Sequence, residues 1–84
     1  MMSSDDDLVQ LLRAVQAGDD ADVLADNESL ACTLEWSLGD LAACLREAKD
    51  RSFIWGVRSG RQPGPWFSEL ELTVQGRRFL AGHP

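Results

Sequence analysis

The sequence predicts one α+β domain in which helices pack against an antiparallel sheet of two or three strands. The apolar residues follow a helical repeat up to about residue 50 and alternate from Phe53 onward, as expected where a helix gives way to a strand. Residues 59–65, with two prolines and two glycines, interrupt the alternation and predict a hairpin over about residues 53–73. At 84 residues the chain is expected to be a single domain over residues 1–84, with residues 1–4 disordered.

The first predicted helix has the clearest apolar stripe in the chain. The stripe consists of Leu8, Leu11, Leu12 and Val15, and three aspartates precede it, where carboxylates stabilise a helix N-terminus. Gly18 is the expected end of this helix. The stripe predicts a helix that faces the core. The alternative is a face that pairs two copies of the chain in a homodimer.

The segment after the first helix has a weaker pattern. Residues 18–28 are acidic and are expected to form either a solvated loop or a short helical turn. In residues 30–36 every second side chain is apolar, which favours a strand that joins the hairpin as a third strand. Leu30 and Leu34 alone would also fit a helical turn. The strand is the prediction adopted.

A second clear helix is predicted from about Leu38 to Asp50. Ser37 and Asp40 have the spacing of a capping box at its start. Apolar side chains then recur with helical period and predict a buried stripe. The outward face would carry three carboxylates, one guanidinium group and two small residues, namely Gly39, Asp40, Ala43, Arg46, Glu47 and Asp50.

The hairpin and a closing helix complete the predicted order. Phe53 and Trp55 are expected on the buried face of the first strand, and a second strand begins at Trp66. Thr73 is a suitable N-cap for a helix over residues 74–81. The predicted core consists of Leu8, Leu11, Leu12, Val15, Leu34, Leu38, Leu41, Leu45, Phe53, Trp55, Leu70, Leu72, Phe79 and Leu80.

Two stretches on either side of the hairpin tip carry longer patterns. The run LTVQGRRFL at residues 72–80 resembles the L-T-x-x-G-x-x-x-L ending of many bacterial winged-helix regulators. The run LAACLREAKDRSFIWG at residues 41–56 resembles their recognition helix and first wing strand, with Ser52 where that family often has glycine. The resemblance covers about half of the chain and extends to small winged-helix proteins of bacteria and phages. It implies a winged helix-turn-helix fold, with a further helix before the recognition helix.

The charges are unevenly distributed along the chain. Residues 1–50 have a balance of −9 and residues 51–84 a balance of +3, which together give the net charge of −6. Cations around a wing would contact phosphates, and the resemblance implies a DNA-binding transcription regulator. The expected function is therefore a regulator that contacts duplex DNA mainly through a basic wing. The predicted nucleic-acid-binding residues are Ala43, Arg46, Arg51, Arg58 and Arg61.

The alternative function is a protein-interaction module without nucleic-acid contact. An acidic domain with a basic hairpin suits a basic protein partner. Trp55 and Trp66 are expected in the core, with an interface anchor as the alternative. Arginines in one contiguous patch would favour DNA, whereas arginines neutralised by carboxylates would favour a protein partner.

The sequence has no pattern typical of an enzyme, a metal site or a cofactor site. His83 is the single histidine and lies next to the last residue. Cys32 and Cys44 lack the spacing of zinc ligands and are expected to be buried thiols, with a disulfide as the alternative. A non-enzymatic protein without a cofactor is therefore predicted. No apolar run has the length of a membrane span and no signal peptide is visible, so a cytoplasmic protein with no membrane partner is expected.

Overall fold

The computed structural model describes residues 5–21 and 25–83, so the expectation for residues 1–4 lies outside the described residues. The elements in chain order are α1 (Asp5–Asp20), α2 (Asn27–Leu34), α3 (Leu38–Asp50), β1 (Ile54–Ser59), β2 (Trp66–Leu72) and α4 (Val74–Ala81). The two strands form an antiparallel sheet, and Ala25 adds a single bridge to Leu70. The α+β class and the hairpin are therefore confirmed.

The apolar stripe of α1 lies in the core, as predicted, but the predicted end at Gly18 is wrong, because the helix continues to Asp20. Leu8, Leu11, Leu12 and Val15 are fully buried, and α1 contacts α2, α3, α4 and β2. The chain's own elements therefore cover this stripe. A homodimer through α1 would have to use the opposite face of the helix, and it stays a prediction.

The strand predicted at residues 30–36 is wrong, because residues 27–34 form α2. A reciprocal capping box starts this helix. The Asp26 carboxylate accepts a hydrogen bond from the Ser29 N–H (2.7 Å), and the Ser29 hydroxyl oxygen accepts one from the Asp26 N–H (3.1 Å). This cap satisfies two backbone donors and stabilises the start of a helix. The residues that follow it are therefore helical, although their apolar side chains alternate as in a strand. The bridge that was expected from residues 30–36 comes instead from Ala25.

A short connection joins α2 to α3. Glu35 adopts the left-handed conformation (φ 57°), and the Trp36 N–H donates to the Ala31 carbonyl oxygen (3.1 Å), as at a Schellman-type helix end. The Ser37 hydroxyl oxygen accepts from the Asp40 N–H (3.1 Å), which confirms the predicted start of α3. The two helices therefore follow one another with almost no loop and pack together.

The end of α3 has the same geometry. Ser52 has a φ of 62°, and the Phe53 N–H donates to the Ala48 carbonyl oxygen (2.9 Å). A non-glycine residue in this region costs about 1–2 kcal/mol. The turn leads the chain directly from α3 into β1, at the position where the resembled pattern often has glycine.

The prediction that Trp55 lies in the core is wrong. Trp55 is 57% exposed and Ile54 is buried, so the faces of β1 are shifted by one residue from the prediction. Because neighbouring strand residues point to opposite faces, Ile54 takes the inward position. Phe53 precedes the strand and stacks on Phe79, with ring centroids 4.6 Å apart.

A β-bulge alters the faces of β2 as well. Val57 pairs with Glu69 and Arg58 pairs with Phe67, which leaves Ser68 as the extra residue. The bulge allows both Phe67 and Leu70 to be buried.

Several other core and cysteine predictions have mixed outcomes. Leu38 is 36% exposed and is not a core residue, whereas Leu34 and Phe79 are half-buried against the core. Trp66 is buried, as predicted. Both cysteines are free thiols; Cys44 is buried as predicted, but Cys32 is exposed because it lies on the outer side of α2.

Gly76 and Thr73 attach α4 to the end of α3. A Cβ atom at Gly76 would overlap the Phe53 carbonyl group, so only glycine allows this close approach. The Thr73 hydroxyl donates to the Ser52 carbonyl oxygen (2.5 Å) and accepts from the Gly76 N–H (3.0 Å). The threonine and the glycine of the run LTVQG therefore have packing and capping roles.

Candidate nucleic-acid interface

A groove lies between the C-terminal half of α3 and the tip of the hairpin. We call it the basic groove; its volume is about 330 Å³, and it is lined by Arg46, Lys49, Asp50, Arg58, Gln62, Gly64 and Pro65. Three of these side chains are cationic and one is a carboxylate. The lining therefore has a local charge of opposite sign to the net charge of the chain.

The packing of α3 places Arg46 and Lys49 on the side of the helix that lines the groove. Leu41, Leu45 and Ala48 are buried on one face of the helix, which leaves Arg46 and Lys49, three positions apart, exposed on the side that lines the groove. Arg58 reaches the groove from the opposite wall, near the end of β1.

Within residues 5–21 and 25–83, the groove cations Arg46, Lys49 and Arg58 form no ion pair. Their charges are therefore not neutralised by any described carboxylate at salt-bridge distance. Solvent-exposed cations of this kind are available to an external anion.

A buried asparagine holds the hairpin in position against α2. Asn27 is fully buried; its amide nitrogen donates to the Pro65 carbonyl oxygen (3.1 Å), and its amide oxygen accepts from the Phe67 N–H (2.8 Å). Both bonds fall at the base of the hairpin tip, next to the groove lining. Asn27 was not singled out from the sequence, because asparagine is mostly an exposed residue.

Two of the predicted site residues are neutralised instead. Guanidinium nitrogens of Arg51 lie 3.6 Å from carboxylate oxygens of Asp5 and Glu47. Arg61 lies 3.8 Å from a carboxylate oxygen of Glu28, and its guanidinium carbon is 4.2 Å from the centre of the Trp66 ring. Neither arginine lines the basic groove.

Of the predicted nucleic-acid-binding residues, the groove brings together Arg46 and Arg58. Ala43 is exposed on α3 but is not part of the groove lining. The sequence reasoning missed Lys49 and Gln62, although the spacing of Lys49 three residues after Arg46 could have indicated a shared helix side.

The arginine of α4 that follows Gly76 has a structural contact. Arg77 lies 3.6 Å from a carboxylate oxygen of Asp19, and the same carboxylate accepts a hydrogen bond from the Leu72 N–H (3.2 Å). Asp19 therefore joins the end of α1 to β2 and α4.

A metal site, a histidine site and a membrane span would each require a particular arrangement of the described residues. No three His, Cys, Asp or Glu side chains are grouped so as to hold a metal ion there. His83 packs on the Phe79 ring, with centroids 4.3 Å apart, and its Nδ1 lies 2.8 Å from the Phe79 carbonyl oxygen. In the same residues no helix is both long and apolar enough to cross a membrane. The non-enzymatic function stays a prediction.

No family model matches the chain, and no curated protein or solved structure is significantly similar to it. Its function is therefore inferred from the geometry and charge of its own residues.

Proposed function

We propose that this chain is a small winged-helix protein that contacts duplex DNA through the basic groove. The observation that carries the proposal is the convergence of Arg46, Lys49 and Arg58 on one groove without ion-pair partners among the described residues. Phosphates of a nucleic acid backbone are suitable anions for such a cluster.

The order of the elements supports the winged-helix interpretation. The helix α1 precedes a single bridging residue, Ala25, which is followed by α2, α3, the hairpin and α4. In this interpretation α2 is the helix expected before the recognition helix, α3 is the recognition helix and the hairpin is the wing. The short connection between α2 and α3 fits a helix-turn-helix, with left-handed Glu35 in the turn where glycine is common.

The chemistry of the groove favours contacts to the DNA backbone over contacts to bases. Lys49 and Arg58 would bind phosphates, whereas Arg46 is also able to read a guanine edge. Gln62 adds an amide at the hairpin tip. We therefore expect weak sequence selectivity and strong dependence on salt. The net charge of −6 opposes long-range attraction to DNA, so binding should require low salt.

Two double variants with equal net charge test the proposal. Arg46→Gln with Arg58→Gln removes two groove cations, and Arg51→Gln with Arg61→Gln removes two neutralised ones. Fluorescence anisotropy with a labelled generic duplex would give the affinity as a function of salt. Three phosphate contacts predict a slope of log K against log salt of about −2.7, and loss of two contacts reduces its magnitude by about 1.8.

The expected result is that the groove variant loses most of the salt dependence while the control variant keeps it. Equal weakening by both variants would show that only net charge matters and would contradict the proposal. Absence of binding by the unmodified chain at low salt would contradict it too, and would leave the protein-interaction module as the better candidate. That second candidate is supported by the neutralised Arg51 and Arg61 and by the exposure of Trp55.

A further inference from the structure

The outer side of the hairpin carries a second surface with different chemistry. Trp55 is 57% exposed and Val57 is 50% exposed. They lie two residues apart in β1, and the register places Glu71 opposite Trp55 and Glu69 opposite Val57. We call these four residues the outer face. The outer face and the basic groove share no residue.

The outer face consists of two parallel rows. Directly opposed side chains in an antiparallel pair have Cβ atoms about 5 Å apart, so an apolar row on β1 lies beside an acidic row on β2. Glu69 and Glu71 are exposed and form no salt bridge within the described residues. The acidic row is therefore available to an external cation.

Exposure of the Trp55 ring to water is unfavourable in free energy, and a partner that covered the ring would remove this penalty. Single exposed apolar residues are common on protein surfaces and need no explanation. Trp55, however, lies beside a second exposed apolar residue, and tryptophan is strongly enriched among residues that dominate binding energy at interfaces. Burial of the Trp55 ring by a partner would remove its apolar surface from water.

We infer that the outer face docks a basic amphipathic segment of a partner protein. An apolar side chain of the partner would cover Trp55 and Val57, and lysine or arginine side chains beside it would contact Glu69 and Glu71. Charge complementarity selects this occupant. A second copy in face-to-face contact would place the carboxylates against either the partner's carboxylates or its apolar row, and a nucleic acid would be repelled by the acidic row. The inference is independent of the proposed DNA contact.

Two synthetic peptides test the inference on the full chain. The first is an amphipathic helical peptide with leucine on one face and lysine along its borders, and the second has glutamate in place of every lysine. In a ¹H–¹⁵N titration the lysine peptide should shift the Trp55 indole signal and the backbone signals of Val57, Glu69 and Glu71. The glutamate peptide should leave these signals unchanged.

Matched variants separate docking from general attraction to an acidic protein. Glu69→Gln with Glu71→Gln and Asp6→Gln with Asp20→Gln each remove two exposed carboxylates. We expect the first pair to weaken binding of the lysine peptide by about tenfold, the effect of roughly 1.4 kcal/mol, and the second pair to change it less than twofold, on the order of 0.4 kcal/mol or less. Trp55→Ala should weaken binding by about 30-fold, as expected for an interface anchor.

Three results would overturn the inference. The first is equal weakening by the two carboxylate pairs, which would indicate attraction to net charge alone. The second is a set of shifts centred on the basic groove or on the helices in place of the outer face. The third is the absence of shifts with the lysine peptide at millimolar concentration. Because all the substituted side chains are exposed, an unchanged spectrum of each free variant would confirm its fold.

Discussion

The basic groove and the outer face use the same hairpin and have opposite charge. The groove collects Arg58 from β1 and two cations from α3, whereas the outer face sets Trp55 and Val57 beside two glutamates of β2. In the sequence the hairpin half, residues 51–84, has a net balance of +3, from five arginines and two glutamates. The local charge of each surface is therefore determined by strand register and ion pairing, and the composition of the segment does not indicate it.

Ion pairing of some arginines, and not of others, explains much of the difference in charge between the two surfaces. Arg51 follows α3 and Arg61 lies in the hairpin tip beyond β1. They pair with Asp5 and Glu28, in the first turns of α1 and α2. Such exposed pairs contribute only about 0–1 kcal/mol to stability each. They nevertheless remove two cations from any anion-binding surface and leave Arg46, Lys49 and Arg58 as the available cluster.

The largest expected effect is that of Gly56→Ala, which should disrupt the hairpin and therefore both the basic groove and the outer face. A Cβ atom at Gly56 would overlap the Glu69 carbonyl group, so the two strands would have to separate. We expect the free energy of unfolding to fall by about 3 kcal/mol, measured by urea denaturation. Gly39→Ala in α3 is the matched control, because a Cβ atom there meets nothing within 4 Å and should raise stability by up to about 1 kcal/mol. Similar losses for both variants would contradict the role of close strand approach.

Asn27→Ala should act on the groove more than on the outer face. It leaves the Phe67 N–H and the Pro65 carbonyl oxygen without their buried partner, which should lower the free energy of unfolding by about 2–3 kcal/mol. Hydrogen exchange should increase first at the hairpin base, at the backbone amides of Trp66 and Phe67. Ser29→Ala, which removes the bond from the Asp26 N–H to the Ser29 hydroxyl oxygen, should cost about 1 kcal/mol or less. If exchange increased uniformly over the chain, Asn27 would have no special role in hairpin placement.

Ser52→Gly should stabilise the chain without altering either surface. Glycine adopts the left-handed conformation of this residue without steric cost, and the carbonyl group that accepts from Thr73 is retained. The expected gain is about 1 kcal/mol, seen as a higher denaturation midpoint. Ser52→Val should instead lower stability, because a β-branched residue is strained at positive φ. A stabilising valine would contradict the left-handed geometry.

The smallest effects should distinguish a neutralised arginine from a free one. Arg61→Gln removes the contacts with Glu28 and the Trp66 ring and should cost about 0.5–1 kcal/mol of stability. Arg58→Gln removes a side chain with no ion pair among the described residues and should change stability by less than about 0.5 kcal/mol. For DNA affinity at low salt, in contrast, Arg58→Gln should have a larger effect than Arg61→Gln. Equal stability changes in the two variants would remove the distinction between the surfaces.

The helices with strong end signals were predictable from the sequence, because their caps are local. Ser37 and Thr73 accept the hydrogen bonds expected of N-caps, and the hairpin follows from its proline- and glycine-rich tip. The helix α2 was not predicted because the apolar residues of 30–36 alternate as in a strand. Its capping box also has aspartate at the N-cap and serine at N3, whereas the common box has serine or threonine followed by glutamate or glutamine. Trp55 was placed inward because the sequence does not determine the phase of a short strand whose neighbouring residues are all apolar.

The candidate site was only partly predictable, because ion pairing is a tertiary property. Arg46 and Arg58 were identified from their positions on the helix and the wing. The partners of Arg51 and Arg61, by contrast, lie far away in the chain, at Asp5 and Glu28. No local pattern indicates such pairs, and none indicates that Asn27 is buried.

The most direct measurement is a ¹H–¹⁵N titration of the unmodified chain with a generic DNA duplex at low salt. Binding through the basic groove predicts shifts at Arg46, Lys49, Arg58 and Gln62 that fade as salt is added, while the Trp55 indole signal stays unchanged. A silent spectrum at high DNA concentration, or shifts centred on the outer face, would contradict a nucleic-acid role for the groove.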